Sequence, residues 1–81
     1  MPVFFFDTRD GDELEVDEVG VDCANLNEAK FEAVHSLADL ARELILDSTT
    51  RNLTVDVRDQ QSRLLLRTTI YFEVLGPFVR S

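Results

Sequence analysis

Between Asn25 and Asp47 the chain carries its only long helical pattern, and the remaining residues must pack around it. Leu26, Ala29, Ala33, Leu37, Leu40, Ala41 and Leu44 recur every three or four residues, which aligns them on one stripe of a helix. Glu28, Glu32, Ser36, Asp39, Glu43 and Asp47 fall on the opposite side. Asn25 with Glu28 forms a capping pair for the helix start, with Asn27 as the rival cap. Ser48-Thr49-Thr50 are poor helix formers, so the pattern stops there. Each large side chain of the stripe contributes roughly 1.5–3 kcal/mol when buried. A second, weaker stripe of Phe31, Val34, Ala38 and Ile45 either tucks under a loop or the C-terminal tail, or faces a partner.

The flanking segments read as strands. Val3-Phe4-Phe5-Phe6 is a run of β-formers within Pro2 to Thr8. Side chains alternate across a strand, so either Phe5 or the Phe4/Phe6 pair must look away from the helix. Asp-Gly at 10–11 marks a turn. Leu14 and Val16 with Val19 and Val21 suggest a short hairpin about Asp17-Glu18-Val19-Gly20, with Gly20 in the left-handed position. After the helix, Leu53, Val55 and Val57 alternate with Thr54, Asp56 and Arg58, the pattern of a half-buried strand. Asp59 to Ser62 is the next loop, and Arg63 to Phe72 the longest strand. Pro77 has no N–H to give a ladder, so pairing ends before it. The chain divides into an acidic arm (1–24), a helix (25–47), a C-terminal hairpin (52–72) and a tail (73–81). The expected fold is α+β, an antiparallel three- to four-stranded sheet in the order β-β-α-β-β with the helix on one face.

This layout resembles a family of small bacterial proteins defined only as a domain of unknown function. The resemblance rests on Phe4-Phe5-Phe6, Arg9-Asp10-Gly11, Asp17-Glu18-Val19-Gly20, the helix around Glu28-Ala29, and Val55-Asp56-Val57-Arg58-Asp59 ahead of Leu64-Leu65-Leu66. One departure is Gln61-Ser62, where a glycine is more usual. The resemblance implies no activity, cofactor or site.

Charge narrows the function classes. The net charge is −8, and residues 7–22 hold eight acids against one base. Nucleic acid is therefore an unfavourable partner, because backbone binding needs clustered basic groups. The apolar run Val3 to Phe6 is too short for a signal peptide or a membrane span, so the chain reads as soluble and cytoplasmic, with no membrane partner. A lone cysteine, Cys23, excludes an internal disulfide and fits that compartment.

No chemistry-bearing motif survives inspection. An EF-hand loop set by Gly11 would begin at Phe6 and Thr8, which offer no carboxylate, so only a looser divalent-cation site in the 7–18 acidic turn remains. Cys23 and His35 lack an orienting third group and an oxyanion site. No catalytic residue, cofactor site or cofactor is assigned, and a non-enzyme is expected. Two readings of function remain. One is a protein-interaction module, homodimeric through the second sheet face, using Phe5, Leu65, Arg67, Tyr71 and Phe78. That face needs a cover because one helix screens only one side of a sheet; the tail is the competing cover. The other is an acidic regulator or decoy whose 7–22 arm binds a basic protein surface.

Overall fold

The computed structural model describes residues 2–79; Arg80 and Ser81, the end of the expected tail, lie outside the described residues. Strand β1 (Val3–Asp10) is followed by the short strands β2 (Glu13–Glu15) and β3 (Val21–Asp22). Helix α1 (Leu26–Leu44) and strands β4 (Thr50–Arg58) and β5 (Leu64–Glu73) complete the chain. All strand pairs are antiparallel, and the sheet runs β2-β1-β4-β5 with β3 also on β1. The fold is α+β, with five strands in one open sheet and one helix across it. Among the described residues no helix is long and apolar enough to cross a membrane.

The helix begins as its sequence dictates. Asn25 is the N-cap, its Oδ1 accepting from the Glu28 N–H at 2.9 Å, while Glu28 Oε1 accepts from the Ala24 N–H. It ends at Leu44, three residues before the expected limit, with Ile45 as C-cap. The Ser48 hydroxyl takes up the Leu44 carbonyl there, which closes the terminus before Asp47.

Ala29, Ala33, Leu37 and Ala41 are buried against Phe4, Cys23, Leu53, Val55 and Val57. Three of the four helical core positions are alanine, so the helix lies close to the sheet, and Leu37 is the single large knob. Leu40 and Leu44 are only partly buried, and Leu26, placed on the stripe by its spacing, is 40% exposed at the helix start.

The β1–β4 and β4–β5 registers put Phe6, Val57 and Leu66 on the helix side, and Phe5, Asp7, Asp56 and Arg67 on the open side. The question posed by three consecutive phenylalanines is thus resolved with Phe5 facing away. Two sequence expectations need correction. Strands β2 and β3 do not form a hairpin with each other; both pair with β1, like one edge strand interrupted at its middle. Strand β4 is not half-buried: Thr54 and Asp56, its polar side, are each only 8% exposed. It is the central strand, and polar side chains from its neighbours close over it.

Candidate functional site

Three polar assemblies and one uncovered flank account for the residues that the sequence offers for chemistry or recognition. The first assembly sits where β2 and β3 leave β1 unpaired. Thr8 and Asp10 pair with β2, and Phe4 pairs with β3, which strands the Phe6 N–H between them. Asp17 fills the gap. Its Oδ2 accepts from Phe6 N at 3.0 Å, and its Oδ1 accepts from Val19 N and Gly20 N at 3.0 and 3.1 Å. Asp7 Oδ1 accepts the Asp17 N–H, and Arg58 ties both residues by donating to Asp7 Oδ2 and to the Asp17 carbonyl. The Arg58 guanidinium also stacks on Phe5, 4.6 Å from the ring centre. Burial alone would raise the Asp17 pKa, but the N–H groups of Gly20, Phe6 and Val19 together with Arg58 hold it below the usual carboxylate range. Gly20 is fixed in place by φ +80° and by a site so tight that a Cβ would fall 2.5 Å from Val3 Cγ1.

The second assembly lies on the open sheet face. Arg67 grips Asp56 with two hydrogen bonds, Nε to Oδ1 at 2.7 Å and Nη2 to Oδ2 at 2.9 Å. That bidentate bond lowers the Asp56 pKa against the effect of its burial. Next to it, the Thr54 and Thr69 hydroxyls share a hydrogen bond. The third assembly is the β4–β5 turn. Asp59 accepts from the Gln61 and Arg63 N–H groups and from Arg63 Nε, led by the backbone bond to Arg63 in lowering its pKa. Ser62 takes φ +63°, the left-handed conformation that the missing glycine would have supplied.

These bonds bear on the cation reading of the 7–18 turn. Asp7 and Asp17 are occupied by Arg58 and backbone amides, and Asp10 by Arg51 at 2.7 Å. Among the described residues no three His, Cys, Asp or Glu side chains converge as metal ligands. Cys23 and His35 do not meet either. Cys23 is buried just before the helix, and His35 stands about 14 Å further along it, exposed beside Asp39. Burial, with Glu28, Glu32 and Asp22 nearby, pushes the Cys23 thiol up and keeps it protonated.

The expected interaction residues divide. Leu65, Arg67 and Tyr71 project from β5 on the open face, with Tyr71 59% exposed and its phenol pushed up chiefly by the Glu73 charge. Phe5 shares that face but is half-buried beneath Arg58. Phe78 belongs to the tail, which does not fold back over the sheet: Phe78 is 85% exposed. The helical flank of Phe31 and Val34 is also uncovered. A model of the domain of unknown function DUF6894 matches residues 3–71. The chain belongs to the DUF6894 family. No curated protein and no solved structure matches it. The family span takes in the Asp7–Asp17–Arg58 assembly and the Asp56–Arg67 pair, and it ends inside β5; Phe72, Glu73 and the tail lie beyond it.

The sequence reading did not find the Asp17 plug or the Arg58 clamp. The signal was present as Asp7, Asp17 and Arg58 in one small domain, but nothing in their spacing shows that β1 has a gap to fill.

Proposed function

We propose that this chain is a small, non-catalytic protein-interaction module whose contact surface is its β5 side. The observation that carries the reading is a run of exposed apolar side chains along the β5 edge. Leu64, Leu65 and Tyr71 lead into Val74 and Leu75 of the tail, and on the helix side of the sheet Phe31 and Val34 are exposed as well. Aromatic and aliphatic groups with a single arginine are the composition of an interface core. The carboxylates with perturbed acidity are absorbed by the fold: Asp17, Asp56 and Asp59 each hold backbone or arginine donors in place. A catalytic group has to be available to a substrate, and these are not.

Photo-cross-linking in cells tests this directly. A benzophenone side chain at Tyr71 or Phe31 is expected to form protein adducts, and one at Glu43, on the charged outer face of the helix, is not. Adducts absent from all three positions, or equal at all three, would overturn the reading.

The acidic-regulator reading keeps one specific support. Asp12, Glu13, Glu15 and Glu18 are exposed, in contrast to Asp7, Asp10 and Asp17, which are held inside their assemblies. A partner bound there would be released steeply by salt.

A further inference from the structure

The two edges of the sheet are built differently. On the β1 side, β2 is three residues long, carries Glu13 and Glu15, and is followed by the Asp17 kink. Short, acidic and interrupted edges resist pairing with another chain. On the other side, β5 runs ten residues, Leu64-Leu65-Leu66-Arg67-Thr68-Thr69-Ile70-Tyr71-Phe72-Glu73, with two charges in all. Among the described residues nothing pairs with its outer edge. The direction of its backbone groups follows from the register. Val74 N–H donates to the Thr49 carbonyl, so Phe72, Ile70 and Thr68 also bond toward β4, and the N–H and C=O groups of Arg67, Thr69, Tyr71 and Glu73 point outward.

Resting on the interaction-module reading, we propose that the occupant of this edge is a second copy of the chain. The two β5 strands pair antiparallel about a two-fold axis at Ile70 and form one continuous sheet. An axis there sets each residue opposite the one equally distant on the other side of Ile70. Arg67, paired with its own Asp56, then faces Glu73 of the second copy, so each Glu73 gains a cationic neighbour, twice per dimer. Thr69 faces Tyr71, and Thr68 faces Phe72. All eight outward N–H and C=O groups of residues 67, 69, 71 and 73 find partners. Beyond the ladder, Leu66 and Leu65 meet Val74 and Leu75 of the second copy. Those tail residues are 54% and 65% exposed in the single chain.

The register irregularity between Val57 and Arg58 ends the regular edge at Leu64–Leu65, and Pro77 ends it on the other side, so the paired stretch is centred where the axis lies. Neighbouring axes are poorer. One at Thr69 sets Glu73 opposite Leu65 and Arg67 opposite Tyr71, leaving Glu73 without a cationic neighbour. Because paired residues share a sheet face, both helices lie on the same side of the joined sheet, with Leu26 and Lys30, which border Leu66, toward the seam.

The test reads stoichiometry and register together. Wild-type chain is weighed by light scattering at micromolar concentration, and single cysteines at positions 68, 69 and 70 are oxidised with copper phenanthroline. The wild type is the control, since its Cys23 is buried. A dimer is expected, with covalent dimer from Ile70→Cys, whose Cα atoms would sit about 4.5 Å apart. Thr69→Cys should stay uncoupled, because its copies would be diagonal neighbours about 7–8 Å apart. Glu73→Arg, an exposed change, should weaken the dimer at least roughly tenfold while leaving circular dichroism unchanged, since it creates like-charge pairs at two places. Tyr71→Pro, which deletes an outward N–H only, should give a folded monomer. A monomeric wild type overturns the proposal, and the cross-linking at Tyr71 and Phe31 then decides separately whether the surface serves another protein. A dimer unaffected by Glu73→Arg and uncoupled at position 70 also overturns it.

Discussion

Asp17 shows how one side chain can complete a sheet. Its carboxylate takes three backbone N–H groups, from Phe6, Val19 and Gly20, that have no partner in a strand. Asp17→Ala should therefore destabilise the domain by about 2–4 kcal/mol, measured by urea unfolding, because it strands several donors. The pH dependence follows from the direction of the shifts. Asp17, Asp56 and Asp59 all have folded-state pKa values below the ordinary carboxylate value. The unfolded chain then binds more protons as pH falls, so these groups contribute full stability above about pH 4 and lose it progressively below, as pH drops through their folded values. Asp17→Asn should flatten the acid limb of the stability curve; an unchanged limb would remove Asp17 from this role. Ser62 works in the opposite direction. Its left-handed backbone costs about 1 kcal/mol relative to glycine. Ser62→Gly should raise stability by up to about that amount, less the extra freedom glycine gives the unfolded chain. At these positions the sequence was only half legible. The departure from glycine at Gln61-Ser62 marked an unusual turn, whereas the role of Asp17 depends on a gap in β1 that forms only when β2 and β3 dock.

At the scale of elements, periodicity carried most of the fold. The helix and its capping pair, the two C-terminal strands and the choice of face for β4 all follow from spacing, because a core stripe has to repeat with the geometry of its backbone. Leu37 is the large residue among the four buried helical positions, so Leu37→Ala should cost about 2–4 kcal/mol. Ala33→Leu should cost about 1–3 kcal/mol for the opposite reason, since no space separates that position from the sheet. Chemical denaturation of the two variants checks both signs. What periodicity could not give was the arm at residues 11–22. Its alternation of acids and valines is that of a hairpin, yet the two short strands bond to β1 instead, because β1 has an entire free edge and a two-residue strand cannot sustain a partner of its own. Nor could it show that β4 is buried on both sides, since Asp56 and Thr54 are covered by Arg67 and Thr69 of β5, and which residues of the hairpin's two arms stand opposite each other depends on a register that alternation alone does not fix.

The whole molecule is asymmetric: a closed, acidic edge at β2 and an open, apolar edge at β5. The net charge of −8 opposes association of two copies, but its acids concentrate in residues 7–22, at the far side of the sheet from β5. Added salt should screen that repulsion, so the dimer should persist or tighten as ionic strength rises, in contrast to an association mediated by the acidic arm. The most direct measurement of the β5 pairing is residue-resolved amide hydrogen exchange along this strand. Thr68, Ile70 and Phe72 bond to β4 and should be protected in any folded form. The account predicts that Arg67, Thr69, Tyr71 and Glu73 are protected as well, and lose that protection on dilution or in Glu73→Arg. Fast exchange at those four residues, at concentrations where the other three are protected, would contradict it.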